Sequence, residues 1–195
     1  DVVDIGWTRP CGRWPPRPCG GHNSLIGDRH DLIFFATDMW GMSEKDREDI
    51  ALTLLQDLSL FPWIADRLHQ GLLNYLLLAR AMRARLATLP EIQERGIVID
   101  PEQLYYSGIS QGGIFGATYM ALSTETTRGH LGVPGANYSL LLHRSVDFAE
   151  FFGVLRAVYA DTRDQAIALA TVQLLWDGTD PISYYRKLSV EPFEG

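Results

Sequence analysis

The chain has 195 residues, of which 46% are hydrophobic, 11% aromatic and 21% charged, a profile that excludes disorder, collagen-like repeats and a disulfide scaffold. Its 17 Lys and Arg against 24 Asp and Glu give a formal net charge of -7 with both signs scattered, which argues against nucleic acid as a partner. The most apolar stretch, Leu72 to Met82, is interrupted by Asn74 and Arg80 and falls short of the roughly 18 apolar residues of a membrane span, so no transmembrane helix is expected.

Asp1 opens the chain without a basic-then-apolar leader, which reads as a processed or trimmed chain or a fragment, and leaves localisation open. Residues 1–30 are rich in Pro and Gly, which restrict and loosen the backbone in turn and predict an irregular arm. Cys11 and Cys19 lie in this arm at a spacing that fits no common zinc signature; a disulfide and two free thiols both remain open. Leu32 to Thr37 is continuously apolar, β-branched or aromatic, between Asp31 and Asp38, and reads as a strand buried on both faces.

Ser43, followed by Glu44 and Asp46, reads as a helix start in which the hydroxyl caps free N–H groups, with a short helix to about Leu58. After Pro62, Ile64, Leu68, Leu72, Tyr75, Leu76, Ala79 and Met82 recur every three or four positions, which predicts a long amphipathic helix ending near Pro90. His69 on this helix reads as a surface or packing residue. Leu104 to Gly108 reads as a second buried strand, a helix follows from close to Ser110 through Leu122, and Leu131 to Pro134 reads as a third strand. Beyond Val146 the pattern is helical almost to the end, with turns around Asp161 and at Asp177-Gly178.

Gly108-Ile109-Ser110-Gln111-Gly112 matches G-x-S-x-G, directly after a predicted strand and directly before a predicted helix. Glycines flank the serine because a sharp strand-to-helix turn leaves no room for a Cβ on either side, and the turn lifts the hydroxyl toward the free N–H groups of the helix start. Gly113 and Gly116 would let that helix pack closely on the sheet. Ser110 is therefore the candidate nucleophile and the Gln111 N–H a candidate oxyanion donor. A second donor would come from an earlier loop, and Gly20-Gly21-His22-Asn23-Ser24 is the earlier stretch closest to an HGGG-type loop, with Asn23 and Ser24 in place of glycines. The Asn23 N–H is the candidate there; the alternative is that these residues are simply part of the arm.

On these residues the chain resembles an α/β-hydrolase of the bacterial esterase and lipase type. Ala36 to Ser43, Tyr105 to Gly113, Leu131 to Tyr138 and Arg144 to Phe148 are similar to one bacterial branch, so that the resemblance spans roughly residues 20–188. It implies an α/β fold in a single domain over 1–195: a mostly parallel sheet, short or incomplete, with a helical cap built from about 140–190. It also implies a small-molecule ester substrate, cleaved through an acyl-enzyme. Phe148, Phe151, Phe152, Leu155, Tyr159, Leu174 and Trp176 would then line an acyl pocket, or serve as ordinary core. No metal or organic cofactor is expected, because no His, Cys and carboxylate set has ligand spacing.

The base is the gap. In α/β-hydrolases the triad runs Ser, acid, His along the chain, yet only His130 and His143 follow Ser110, and neither has a strand-end acid before it. Three explanations stand: the part of the sheet that carries acid and histidine lies beyond Gly195; a histidine from elsewhere in the fold or from a partner subunit serves, His143 being the best internal candidate; or the chain is a catalytically impaired binding or dimerisation protein, a homodimer covering an open sheet edge. His143 has the alternative of a surface residue beside Arg144. His130 is expected at the far end of its strand. Asp38 reads as an orienting acid or a loop cap, and Asp177 and Asp180 as caps or turns between helices.

Overall fold

The computed structural model describes residues 10–11, 17–18, 26–27 and 29–193. The chain divides into two compact units, Asp1–Asp38 and Met39–Gly195. In the first, β1 (Pro10–Cys11) and β2 (Arg17–Pro18) pair antiparallel. Cys19, and with it the disulfide question, lies outside the described residues. The strand expected over Leu32 to Thr37 does not form: these residues belong to no strand, Leu32 is exposed, and Phe34 and Phe35 are half-buried. An apolar, β-branched run becomes a strand only where a neighbour offers a ladder.

The second unit opens on a turn, Glu44–Asp46, that leads into α1 (Arg47–Gln56). The expected capping role is reversed here. The Ser43 hydroxyl does not accept from the helix; it and the Ser43 N–H donate to the Asp46 carboxylate, as does the Gly41 N–H, and the Ser43 carbonyl accepts from the Asp46 N–H. Arg67 completes the shell through Nε at 3.0 Å, its guanidinium lying between the rings of Trp40 and Trp63. Gly41 sits at φ +91 against Leu68, where a side chain would be strained by backbone and space alike. Arg67 and Leu68 lie on α2 (Pro62–Arg85), whose buried residues include Ile64, Leu68, Leu72 and Ala79, the face predicted from the periodicity. The chain then breaks at Leu89 into α3 (Pro90–Gln93), with proline at its first turn.

β3 (Tyr105–Ile109), α4 (Gln111–Leu122) and β4 (Arg128–Gly132) form one parallel crossover unit, registered from Tyr105 opposite Arg128 to Ile109 opposite Gly132. β4 thus begins three residues earlier than the strand read from Leu131, and His130 sits mid-strand opposite Ser107 rather than at its far end. β3 is not buried on both faces. Its residues alternate, with Tyr106 and Gly108 toward the interior and Tyr105 and Ile109 exposed. α4 covers the inner face closely: a Cβ on Gly113 would stand 2.4 Å from the Gly132 carbonyl oxygen, and one on Gly116 2.4 Å from the Tyr106 ring.

α5 (Tyr138–Leu142), α6 (Ala149–Val158), α7 (Thr162–Trp176) and α8 (Tyr185–Ser189) follow, with Asp161 capping α7 through the Arg163 N–H. They are not a cap laid over a sheet. Tyr138, Val172 and Trp176 share one core with Phe61 just before α2, Ile64 and Leu68 of α2 and Phe115 of α4. The α/β-hydrolase-like, mostly parallel sheet is accordingly corrected: 61% of the described residues are helical, and the parallel strands among them are two, in one small sheet. The physical reason is that the residues read as cap bury against α2 and α4, while Leu32 to Thr37 joins no ladder. Among the described residues, no helix is long and apolar enough to cross a membrane.

Candidate functional site

The turn between β3 and α4 carries the G-x-S-x-G residues. Ser110 stands there at φ 56, ψ -117, a conformation that ordinary side chains avoid and that costs of order 1–3 kcal/mol. It is held from both sides. The Ser110 N–H extends the ladder by donating to the Gly132 carbonyl at 3.0 Å, and the Ser110 carbonyl accepts from Gly113 and Ile114 as α4 begins. Gly108 is required by space: a Cβ would lie 2.3 Å from the Gly112 carbonyl oxygen. Gly112 is not, since a Cβ there would meet only the Tyr106 hydroxyl, at 3.7 Å. The expectation that both glycines are sterically forced therefore holds for the first alone.

Among the described residues, three of the four non-glycine residues with positive φ, Ser110, Val133 and Asn137, lie at or just beyond the carboxyl ends of β3 and β4. Strain of this kind collects where the surrounding structure over-determines a functional geometry. The N–H groups of Gln111 and Gly112, at the start of the twelve-residue α4, have no acceptor among the described residues, which leaves two aligned donors at the positive end of a helix dipole.

Gln111 is anchored by its side chain, whose Nε2 donates to the Tyr138 hydroxyl at 2.8 Å. Tyr138 is fully buried between Phe115 and Trp176, and burial, the largest influence, pushes its hydroxyl well above the usual phenol range despite the opposing bond from Gln111. Its backbone N–H donates at 2.7 Å to Asp180, a fully buried carboxylate that also accepts from the Asn137 N–H, the Gln173 amide and the Ile182 N–H. Tyr106 braces the elbow from the other side, its hydroxyl donating to the Gly112 carbonyl at 2.6 Å, and burial raises its pKa above the ordinary phenol value. Tyr138, Asp180 and Tyr106 were not singled out as site residues from the sequence. The one available signal was Asp180-Pro181, a cap before proline.

No family model, curated protein or solved structure matches the chain.

His143 closes α5, exposed, with its ring 6.0 Å from that of Phe152. No imidazole among the described residues is hydrogen-bonded to Ser110 Oγ. Asn23 and His22 lie outside the described residues, and Asp38 belongs to the first unit, in no strand. Of the predicted site, then, the structure brings Ser110 and Gln111 together. No group of three or more His, Cys, Asp or Glu able to hold a metal occurs among the described residues.

Proposed function

We propose that this chain is a serine hydrolase that cleaves carboxylic esters through an acyl-enzyme on Ser110. The observation that carries the reading is the Ser110 backbone, forced to positive φ at a strand-to-helix turn with the Gln111 N–H unsatisfied beside it. Ser110 Oγ attacks the ester carbonyl carbon as a base takes its proton, and the carbonyl electron pair moves onto oxygen, facing the Gln111 N–H. Collapse of the intermediate restores the carbonyl and expels the alcohol, which takes the proton. Water then attacks the acyl-enzyme in the same way, so that ester and water become acid and alcohol. His143 is the internal candidate for the base.

A fluorophosphonate probe tests the nucleophile. Stoichiometric labelling that disappears in Ser110→Ala, with a loss of at least ~1,000-fold in p-nitrophenyl acetate hydrolysis, is expected. A folded sample that neither labels nor hydrolyses overturns it. His143→Ala then reads the base: a comparable loss assigns the role to His143, and retained activity moves it to another group.

A second reading, a non-catalytic binding or dimerisation protein, draws on the outer face of the parallel pair, where Tyr105 and Ile109 are 45% and 67% exposed. Sedimentation of the unlabelled, inactive protein as a dimer would favour it.

A further inference from the structure

Helices of the second unit surround an apolar cavity of about 230 Å3. Six rings stand on its wall: Phe61 just before α2, Phe148 just before α6, Phe151 and Phe152 on α6, Tyr159 just after it, and Trp176 at the end of α7. Leu174, grouped with several of these by sequence, is 72% exposed and takes no part. The cavity is not the acyl pocket expected from these residues. None of the Ser110 turn belongs to its wall, and the fully buried Tyr138 ring stands between Trp176 and Gln111. Helix α6 is strongly amphipathic, yet none of its residues is buried, because its apolar face borders the cavity. Packed interiors leave few voids, so a helix held this way belongs to a space built to be filled.

Charge says what fills it. Asp57 is the one charged wall residue among those described, and it is exposed, which puts it where the cavity meets solvent. Hydrogen bonds from Ser59, side chain first and then backbone, hold its carboxyl below the usual carboxylate range, and no cation among the described residues pairs with it. Arg156 lies outside the wall, 5.9 Å over the Phe152 ring. A carboxylate at the mouth repels an anion and attracts a cation, and ring faces, negative through their quadrupole, do the same.

We propose that this cavity binds a small arylalkyl ammonium ion, its ring among the wall rings and its charge at the mouth beside Asp57. The site is separate from the Ser110 turn and does not depend on the ester-hydrolase reading. An apolar cavity of about 150 Å3 holds benzene, so in proportion this one holds about nine non-hydrogen atoms, the size of phenethylammonium. A ligand of that size binds with a Kd on the order of 1 mM or tighter.

Phenethylammonium, the neutral phenethyl alcohol and the anionic hydrocinnamate are titrated into the full chain. Binding is read from the Trp176 indole N–H signal in proton–nitrogen correlation spectra, which Trp176→Phe assigns by deleting it. The ammonium ion is expected to bind about 3–10-fold more tightly than the alcohol, and hydrocinnamate more weakly than either. Asp57→Asn closes the gap between ammonium and alcohol and leaves the alcohol unchanged. Val154→Phe, which puts a ring into the cavity, weakens both; Leu155→Phe makes the same test if that variant fails to fold. No saturable shift at about ten times the expected Kd overturns the site. Binding untouched by the ring-adding variant places the ligand elsewhere and overturns it as well. Equal affinity for ammonium and alcohol, or a preference that survives Asp57→Asn, overturns the assignment of the cation to Asp57.

Discussion

At the residue scale, the elbow distinguishes two glycines that look equivalent in the motif. Gly108→Ala places a methyl 2.3 Å from the Gly112 carbonyl oxygen and is expected to cost about 2 kcal/mol, read as a lower urea midpoint. Gly112→Ala meets only ordinary contact and removes a flexible residue from a helix start, so stability is expected to rise by about 0.5–1 kcal/mol. Equal losses in both variants would show that the turn is not the one described. Tyr138→Phe keeps the ring between Phe115 and Trp176 and deletes one hydrogen bond of about 1 kcal/mol to Gln111, which predicts a fall of about fivefold in kcat with KM unchanged. A rise in KM alone would mean that Tyr138 shapes the substrate pocket and does not position the oxyanion donor. Ser110 was legible because its neighbours are small and its context is strand then helix. Its partner Tyr138 was not, because 27 positions separate Gln111 from Tyr138 and no periodicity links them.

At the scale of elements, α2 was the most legible, since a 24-residue helix gives its apolar stripe many turns to declare itself. Strands were harder. The run at Leu32 to Thr37 has the composition of a strand without the pairing, while Tyr105–Ile109 has both, because α4 returns the chain in parallel beside it. Asp46 shows the same limit at a helix start. Its acidity suits the first turn, but its burial follows from Arg67, 21 residues on, which a local reading does not reach. Asp46→Asn leaves the Arg67 charge facing a neutral amide and is expected to cost about 3 kcal/mol by urea denaturation at pH 7. A change within experimental error would show that the α1–α2 corner is held by packing alone.

For the whole molecule, the titrating groups set the pH range of the fold. Burial pushes the Asp46 carboxyl up, but donors from Ser43, Arg67 and Gly41 outweigh it and hold the group below the usual carboxylate range. Arg80 and Arg83 do the same for Glu125. Both carboxyls bind protons less readily folded than unfolded, so their stabilisation is complete above about pH 4–5 and is lost as pH falls through the lower folded values. At the alkaline end, burial holds Tyr106 and Tyr138 neutral; they favour the fold below the ordinary phenol pKa near 10, and that support disappears as pH rises beyond it. Urea midpoints are therefore expected to be flat between about pH 6 and 9 and to fall on both sides. In Asp46→Asn the acid limb becomes shallower; an unchanged limb would exclude Asp46 as a source of it.

The sequence by itself determined the amphipathic face of α2, the strand, serine turn and helix around Ser110, and the need for Gly113 and Gly116 beneath that helix. Each of these follows from patterns shorter than a few helical turns, where backbone sterics and periodicity act directly. Length and composition alone allowed a sizeable core, and the resemblance supplied the sheet. Only the tertiary structure decided otherwise, because an apolar run becomes a strand only with a partner to complete its ladder: Tyr105–Ile109 pairs with β4, and Leu32 to Thr37 belongs to no strand. The same holds for the net that joins Ser110 to Gln111, Tyr138 and Asp180, whose members meet through packing across 70 residues of chain.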